Sequence, residues 1–123
     1  MWRADVPVLP VWTLDVTPTV IISTALATRD FQNVHHDRDA AVRLGGRDIF
    51  VNILTTTGLV QRYVTDWAGP GCDVRSVAIR LGAPCFAYDT LTFTGELVSD
   101  GVVAVVGRTP SGVHVTGTVG IAQ

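Results

Sequence analysis

Asp30 and His35, with four residues between them, lie in the segment Thr28-Arg29-Asp30-Phe31-Gln32-Asn33-Val34-His35-His36-Asp37. That segment is polar, rich in turn formers and without a period, so it reads as a loop. A carboxylate and an imidazole that converge on one water can deliver its hydroxyl to one carbon and a proton to the neighbouring carbon. Such general acid–base chemistry requires only hydrogen-bond reach and a dry pocket. The same spacing also suits an Asp that caps a turn beside a His that merely packs.

Other reactive residue types offer less. His36, Asp37 and Asp39 follow on the same loop but form no tetrahedral ligand set, so they read as solvated residues and no metal is expected. Cys72 and Cys85 are too few for a disulfide framework and have no evident base, so both read as reduced and inert. Ser23, Ser76, Ser99 and Ser111 sit in no Gly-x-Ser-x-Gly elbow. No Gly-rich phosphate loop follows a strand, and Gly45-Gly46 reads as a helix stop. His114 alternates with threonines on a polar strand face and reads as a surface or interface residue. All nine cations are arginines, which excludes Schiff-base lysine chemistry. Arg75, Arg80 and Arg108 carry forks suited to phosphate, but each reads first as an exposed charge.

The elements that must position the pair follow from periodicity. Residues 1–16, broken by Pro7 and Pro10, read as an extended arm whose Trp2 and Trp12 pack on the core edge or on a partner subunit. Residues 17–25 are β-branched and read as a first strand. Asp37 can cap a short helix over 38–44. A longer helix over 49–68, with Asp48 as its cap, places Phe50, Ile53, Leu54, Thr57, Val60, Val64 and Trp67 on one stripe before Gly69-Pro70-Gly71 stops it. Four strands follow, around 76–81, 91–97, 102–106 and 113–121, with hairpin turns at Ser99-Asp100-Gly101 and Pro110-Ser111-Gly112. A strand, a long helix and a four-strand meander make an α+β domain over 17–123: an antiparallel five-stranded sheet wrapped around one central helix, the hotdog fold.

The bulk numbers agree with one small domain. The chain has 123 residues, 47% hydrophobic and 16% charged, with a net charge of −2. Its mean hydropathy is +0.35. That balance excludes a basic nucleic-acid footprint. It also leaves apolar surface that a partner subunit would cover. No apolar run approaches the ~20 residues of a membrane span and no signal pattern opens the chain, so a cytoplasmic protein is expected.

Arg29-Asp30-Phe31-Gln32-Asn33-Val34-His35 resembles the Gly-Asp-x-Asn-Pro-x-His motif of the MaoC-like, R-specific enoyl-CoA hydratases, which have the hotdog fold. Leu81-Gly82-Ala83-Pro84-Cys85-Phe86-Ala87-Tyr88-Asp89-Thr90-Leu91 is similar to that family's Pro-Val-x-x-Gly-Asp-x-Leu. Three further segments resemble the small hydratase subunits of actinobacterial steroid side-chain degradation: 35–39, 48–56 and 62–70. The resemblance implies a hydro-lyase acting on a 2-enoyl-CoA, specifically a cholesterol-derived side-chain thioester, with Asp30 and His35 catalytic. The family's helix-opening His-Gly-Met falls on Val51-Asn52-Ile53, which implies backbone oxyanion donors at Val51 and Asn52, with a hydroxyl at Thr56 or Thr57 one turn later. It implies no cofactor, coenzyme A being part of the substrate. The implied partner is a larger, different hotdog polypeptide, in a heterodimer or a dimer of heterodimers. Two rivals remain: an acyl-CoA thioesterase using a helix carboxylate, for which only Asp66 is available, and a silent subunit that completes a partner's pocket.

Overall fold

A computed structural model describes residues 7–122. Its elements are β1 (Trp12–Asp15), α1 (Pro18–Ala27), a 3-10 turn (Asn33–His35), α2 (Arg38–Arg43), α3 (Ile53–Ala68), β2 (Asp73–Leu81), β3 (Thr90–Ser99), β4 (Val102–Thr109) and β5 (Gly112–Ala122). The strands form one antiparallel sheet in the order β1-β3-β4-β5-β2. Helix α3 lies against its inner face. The expected α+β architecture, five strands around one long helix, is what the chain adopts.

Alternation puts Leu91 and Phe93 of β3, Val103 and Val105 of β4, and Val115, Val119 and Ile121 of β5 on the inner face, all buried. Val60, Tyr63, Val64, Trp67 and Ala68 of α3 meet them. Each fully buried Val, Leu or Phe contributes on the order of 1.5–3 kcal/mol. Helix and sheet approach closely at Gly95, where a Cβ would stand 3.0 Å from Tyr63 Cε2 and 3.1 Å from the Ala104 oxygen. Both expected hairpin turns are present, with Gly101 (φ 71°) and Gly112 (φ 132°) in backbone conformations that favour glycine.

The first third of the chain departs from expectation. Residues expected as a first strand are helix α1, started by Thr17, whose Oγ1 accepts from Val20 N–H at 3.1 Å, with Pro18 in the first turn. Threonine and serine are tolerated there because their hydroxyls bond back to the preceding turn, Ser23 to the Thr19 carbonyl and Thr24 to the Val20 carbonyl, each at 2.6 Å. The actual first strand, β1, comes from the expected arm, so arm and domain share one sheet. Trp12 of that strand packs on its own core edge, with ring centroids 5.4 Å from Phe93 and 6.3 Å from Tyr63. The Tyr63 hydroxyl donates to the Pro10 carbonyl at 2.6 Å and clips the arm to α3. Trp2 lies outside the described residues.

Helix α3 begins four residues later than expected. Residues 49–51 are extended, because Val51 N–H donates to the Cys85 carbonyl and Ala87 N–H to the Ile49 carbonyl, both at 3.0 Å. Asp48 instead accepts from Ile49 N–H at 2.8 Å and pairs with Arg38 at 3.6 Å. Asn52 is the cap, accepting from Thr55 N–H at 3.0 Å. The shift turns Ile53 and Leu54 outward, 52% and 53% exposed, and buries Thr55 and Thr56 in their place. Among the described residues no helix is long and apolar enough to cross a membrane.

Candidate active site

Asp30 is delivered by the end of α1. Its N–H donates to the Ala25 carbonyl at 2.9 Å, while Arg29 before it takes a left-handed φ of 57°. The family motif carries Gly at that position, and this backbone gives the reason: only Gly adopts it without a Cβ penalty. Asp30 Oδ1 accepts from Gln32 N–H at 3.2 Å, and Oδ2 accepts from Asn52 Nδ2 at 3.1 Å. These two donors, Asn52 first, hold the Asp30 carboxyl below its ordinary 3.8; burial works against them, and His35 and His36 add smaller downward pulls.

His35 sits in the 3-10 turn and is buried. Its ring meets Phe50 edge-on at 4.9 Å, and Nδ1 lies 2.7 Å from the Phe50 carbonyl. A carbonyl can only accept, so Nδ1 carries the proton. In its neutral form the ring presents the lone pair of Nε2, and that nitrogen lies 3.4 Å from Asp30 Oδ2. The chain brings the expected pair together, with the carboxylate ionised and one imidazole face held in a single tautomer.

Helix α3 points its N-terminus at the same region. Asn52 and the first turn supply N–H groups, among which those of Asn52, Ile53 and Leu54 have no partner among the described residues. The expectation for Val51 is corrected: its N–H is taken by the Cys85 carbonyl and is no oxyanion donor. The hydroxyls of Thr56 and Thr57 are likewise committed, to His114 Nε2 and to the Ile53 carbonyl, each at 2.8 Å.

A 62% identical protein covers 120 residues, 94% of this chain and 93% of its own length: the 3-oxo-4,17-pregnadiene-20-carboxyl-CoA hydratase beta subunit of Mycobacterium tuberculosis (strain ATCC 25618 / H37Rv). This chain belongs to the MaoC-like enoyl-CoA hydratase family. No protein-family model matches it. A chain in the crystal structure of the ChsH1-ChsH2 complex from Mycobacterium tuberculosis superposes with a TM-score of 0.90 at 62% identity, over 94% of each chain. The fold is also that of R-hydratase PhaJ1 from Pseudomonas aeruginosa, with a TM-score of 0.83 at 18% identity, over 91% of this chain and 77% of that one. An (R)-hydratase from A. caviae has it too, at 0.77 and 19% over 91% of each chain.

Among MaoC-like chains the helix-opening Gly corresponds here to Asn52, and its side chain is what the sequence reading missed. The signal was present, since Asn is a preferred N-cap and Thr55 stands three residues on. His114 was misplaced outright. It is buried, with Nδ1 2.8 Å from the Ala83 carbonyl and Nε2 2.8 Å from Thr56 Oγ1, because a bulge at Gly107/Arg108 shifts the register of β5 against β4. The remaining candidates stay apart from the pair. Asp66 is an exposed partner of Arg62 in the last turn of α3, a poor place for a thioesterase carboxylate. Arg75 pairs with Asp73 at 3.6 Å, and Arg108 reaches Thr94 at 3.4 Å. Cys85 is buried, and burial pushes its thiol up to about 12. Among the described residues no group of three His, Cys, Asp or Glu side chains could hold a metal.

Proposed function

We propose that the chain is a hydro-lyase that adds water across the α,β double bond of a 2-enoyl-CoA. The observation that carries this reading is the 3.4 Å approach of Asp30 Oδ2 to His35 Nε2, a lone-pair acceptor when the ring is neutral. Two acceptors at that separation take both O–H bonds of one water and turn its oxygen lone pair toward the substrate. Asp30 receives the proton as the oxygen bonds to the β carbon. Negative charge moves to the thioester oxygen, opposite the Asn52 N–H and the positive end of α3. His35 holds the same water and helps carry the proton to the α carbon. Hydroxyl and hydrogen are the only atoms added. No metal or redox cofactor is required, because the thioester already acidifies the α carbon, and coenzyme A arrives with the substrate.

The 62% identical steroid hydratase subunit supports a cholesterol-derived side-chain enoyl-CoA as the acyl group. The ChsH1-ChsH2 complex supports a second, larger hotdog subunit as partner, in a heterodimer or a dimer of heterodimers. The surface supports it physically: Leu26, Phe31, Ile53 and Leu54 flank the site residues along the chain and are each at least half exposed. A single chain leaves that collar in water, whereas the chemistry requires a dry pocket. Reduced Cys72 and Cys85 fit a cytoplasmic setting, and a net charge of −2 fits neither nucleic acid nor an anionic membrane surface as partner.

Turnover by the isolated chain and by its complex, offered an enoyl-CoA and a saturated acyl-CoA, tests the reading. Loss of the double bond without thiol release is expected from the complex. Thiol release from the saturated substrate would make the chain a thioesterase. A homodimer that hydrates the steroid enoyl-CoA at full rate would refute the second subunit.

A further inference from the structure

The Asn52 carboxamide is buried and every polar atom of it is engaged. Oδ1 accepts from Thr55 N–H at 3.0 Å, and since that group can only donate, the orientation of the amide is settled. Both Nδ2 hydrogens then face away from the helix, one toward Thr28 Oγ1 at 2.9 Å and one toward Asp30 Oδ2 at 3.1 Å. Thr28 spends its own hydrogen on the Thr24 carbonyl at 2.8 Å, so a lone pair is what Asn52 meets there. One side chain thus ties the start of α3 to the end of α1 and to the carboxylate between them.

We propose that Asn52 is a positioning residue for the proton transfer: it holds Asp30 Oδ2 toward His35 Nε2. The proposal rests on the reading of Asp30 as the base of the hydration. A carboxylate anchored through only one oxygen can rotate about its last side-chain bond. Gln32 N–H fixes Oδ1 and Asn52 fixes Oδ2, so the oxygen that faces His35 has a single place. The charged and titratable groups around Asp30 are His35 and His36, on the turn beside it; α3 presents Asn52 and α1 presents Thr28, both neutral. The downward pull on the Asp30 carboxyl comes first from Asn52. The glycine found at this position in the family motif caps a helix only by its backbone and offers Asp30 no donor.

Two variants separate this role from simple helix capping, and both keep the backbone N–H. Asn52→Ser retains a cap acceptor for Thr55 and is too short to reach Asp30. Asn52→Asp retains shape and cap but sets a second carboxylate against Asp30. The readouts are the carboxyl 13C shift of Asp30 against pH in the full chain, kcat and KM of the active assembly, and the thermal midpoint. In the parent, Asp30 should titrate below 3.8, and in Asn52→Ser it should titrate higher than in the parent, with the Gln32 N–H still holding it down. In Asn52→Asp it should rise by about one unit or more, because neighbouring carboxylates resist double ionisation, and the acidic limb of kcat/KM should move toward neutrality with it. For Asn52→Ser we expect kcat at neutral pH to fall about ten-fold with KM within about two-fold, less than the ~10²–10⁴-fold that an acid–base group itself supplies. Should Asn52→Ser unfold, Asn52→Asp carries the same readouts. An Asp30 titration that does not move, or one that moves with kcat unchanged, overturns the proposal. If Asp30→Asn itself leaves hydration intact, the base assignment falls alone, and the carboxyl titration still decides whether Asn52 holds Asp30.

Discussion

His35 and His114 are built alike and used differently. Each is buried, and each sets Nδ1 against a backbone carbonyl, Phe50 at 2.7 Å and Ala83 at 2.8 Å, so each, when neutral, presents the lone pair of Nε2. The difference is what that lone pair meets. For His114 it is the Thr56 hydroxyl at 2.8 Å, inside the seam between α3 and β5. For His35 it is an ionised carboxylate at 3.4 Å, whose side chain is still 20% exposed. The first arrangement saturates the imidazole and makes it a strut. The second leaves Nε2 facing a partly exposed carboxylate, the arrangement that the proposed hydration uses. A tautomer lock prepares a histidine for either role, and the neighbour of the other nitrogen decides which.

The strongest way to break this contrast is to remove the reactive pair. Asp30→Asn and His35→Ala should each lower hydration by about 10²-fold or more, measured as steady-state loss of the enoyl-CoA double bond. Asp30→Asn should leave the thermal midpoint near the parent value. His35→Ala strands the Phe50 carbonyl and should cost about 1–3 kcal/mol as well. His36→Ala should do far less to the rate, and equal losses at His35 and His36 would sink the assignment.

Removing the strut should show the reverse profile. His114→Ala leaves a cavity and two stranded partners, Thr56 and the Ala83 carbonyl, and should lower unfolding stability by about 2–3 kcal/mol in urea. A hydration loss as large as that of His35→Ala, in protein still folded at the assay temperature, would erase the distinction.

A pH series sharpens it. Burial pushes the His114 ring below its usual 6.5, against the opposing pull of the Ala83 hydrogen bond and Asp89. The unfolded chain therefore binds a proton that the folded chain refuses, so stability is full above 6.5 and is lost as pH falls from there toward the folded value. Thermal midpoints measured across that window should decline for the parent and flatten for His114→Gln. A parallel decline in both proteins would assign the effect elsewhere.

The smallest expected effect tests the backbone that delivers Asp30. Arg29→Gly relieves a left-handed φ of 57° and should raise stability by about 1 kcal/mol, with hydration near the parent rate. A destabilised variant would mean that the Arg29 side chain contributes more than its backbone costs.

Much of this protein was legible in local pattern. Strands β2 to β5, their two hairpin turns, α2 with its Asp37 cap and the stop of α3 at Gly69 all follow from periodicity and turn chemistry within a few residues. The spacing of Asp30 and His35 was legible for the same reason. The misread parts depend on distant chain. Residues 17–25 are β-branched, yet a Thr cap and Pro18 start a helix whose hydroxyls bond inward. Strand β1 exists because Trp12 to Asp15 pair with β3, nearly eighty residues on, and no local period records that.

The amino-acid sequence by itself determined the fold class, the meander and the identity of the candidate acid–base pair, because side-chain period, turn residues and chemical type are local properties. Tertiary structure decided where α3 begins, since the clamp of residues 49–51 by 85–87 moves the cap from Asp48 to Asn52. It thereby denied Val51 its expected role, gave Asn52 a side-chain role toward Asp30, and turned His114 from a surface residue into a buried strut. Each of these rests on hydrogen bonds between segments far apart in sequence, and the partner of a backbone N–H or a ring nitrogen is set by packing, which sequence spacing does not encode.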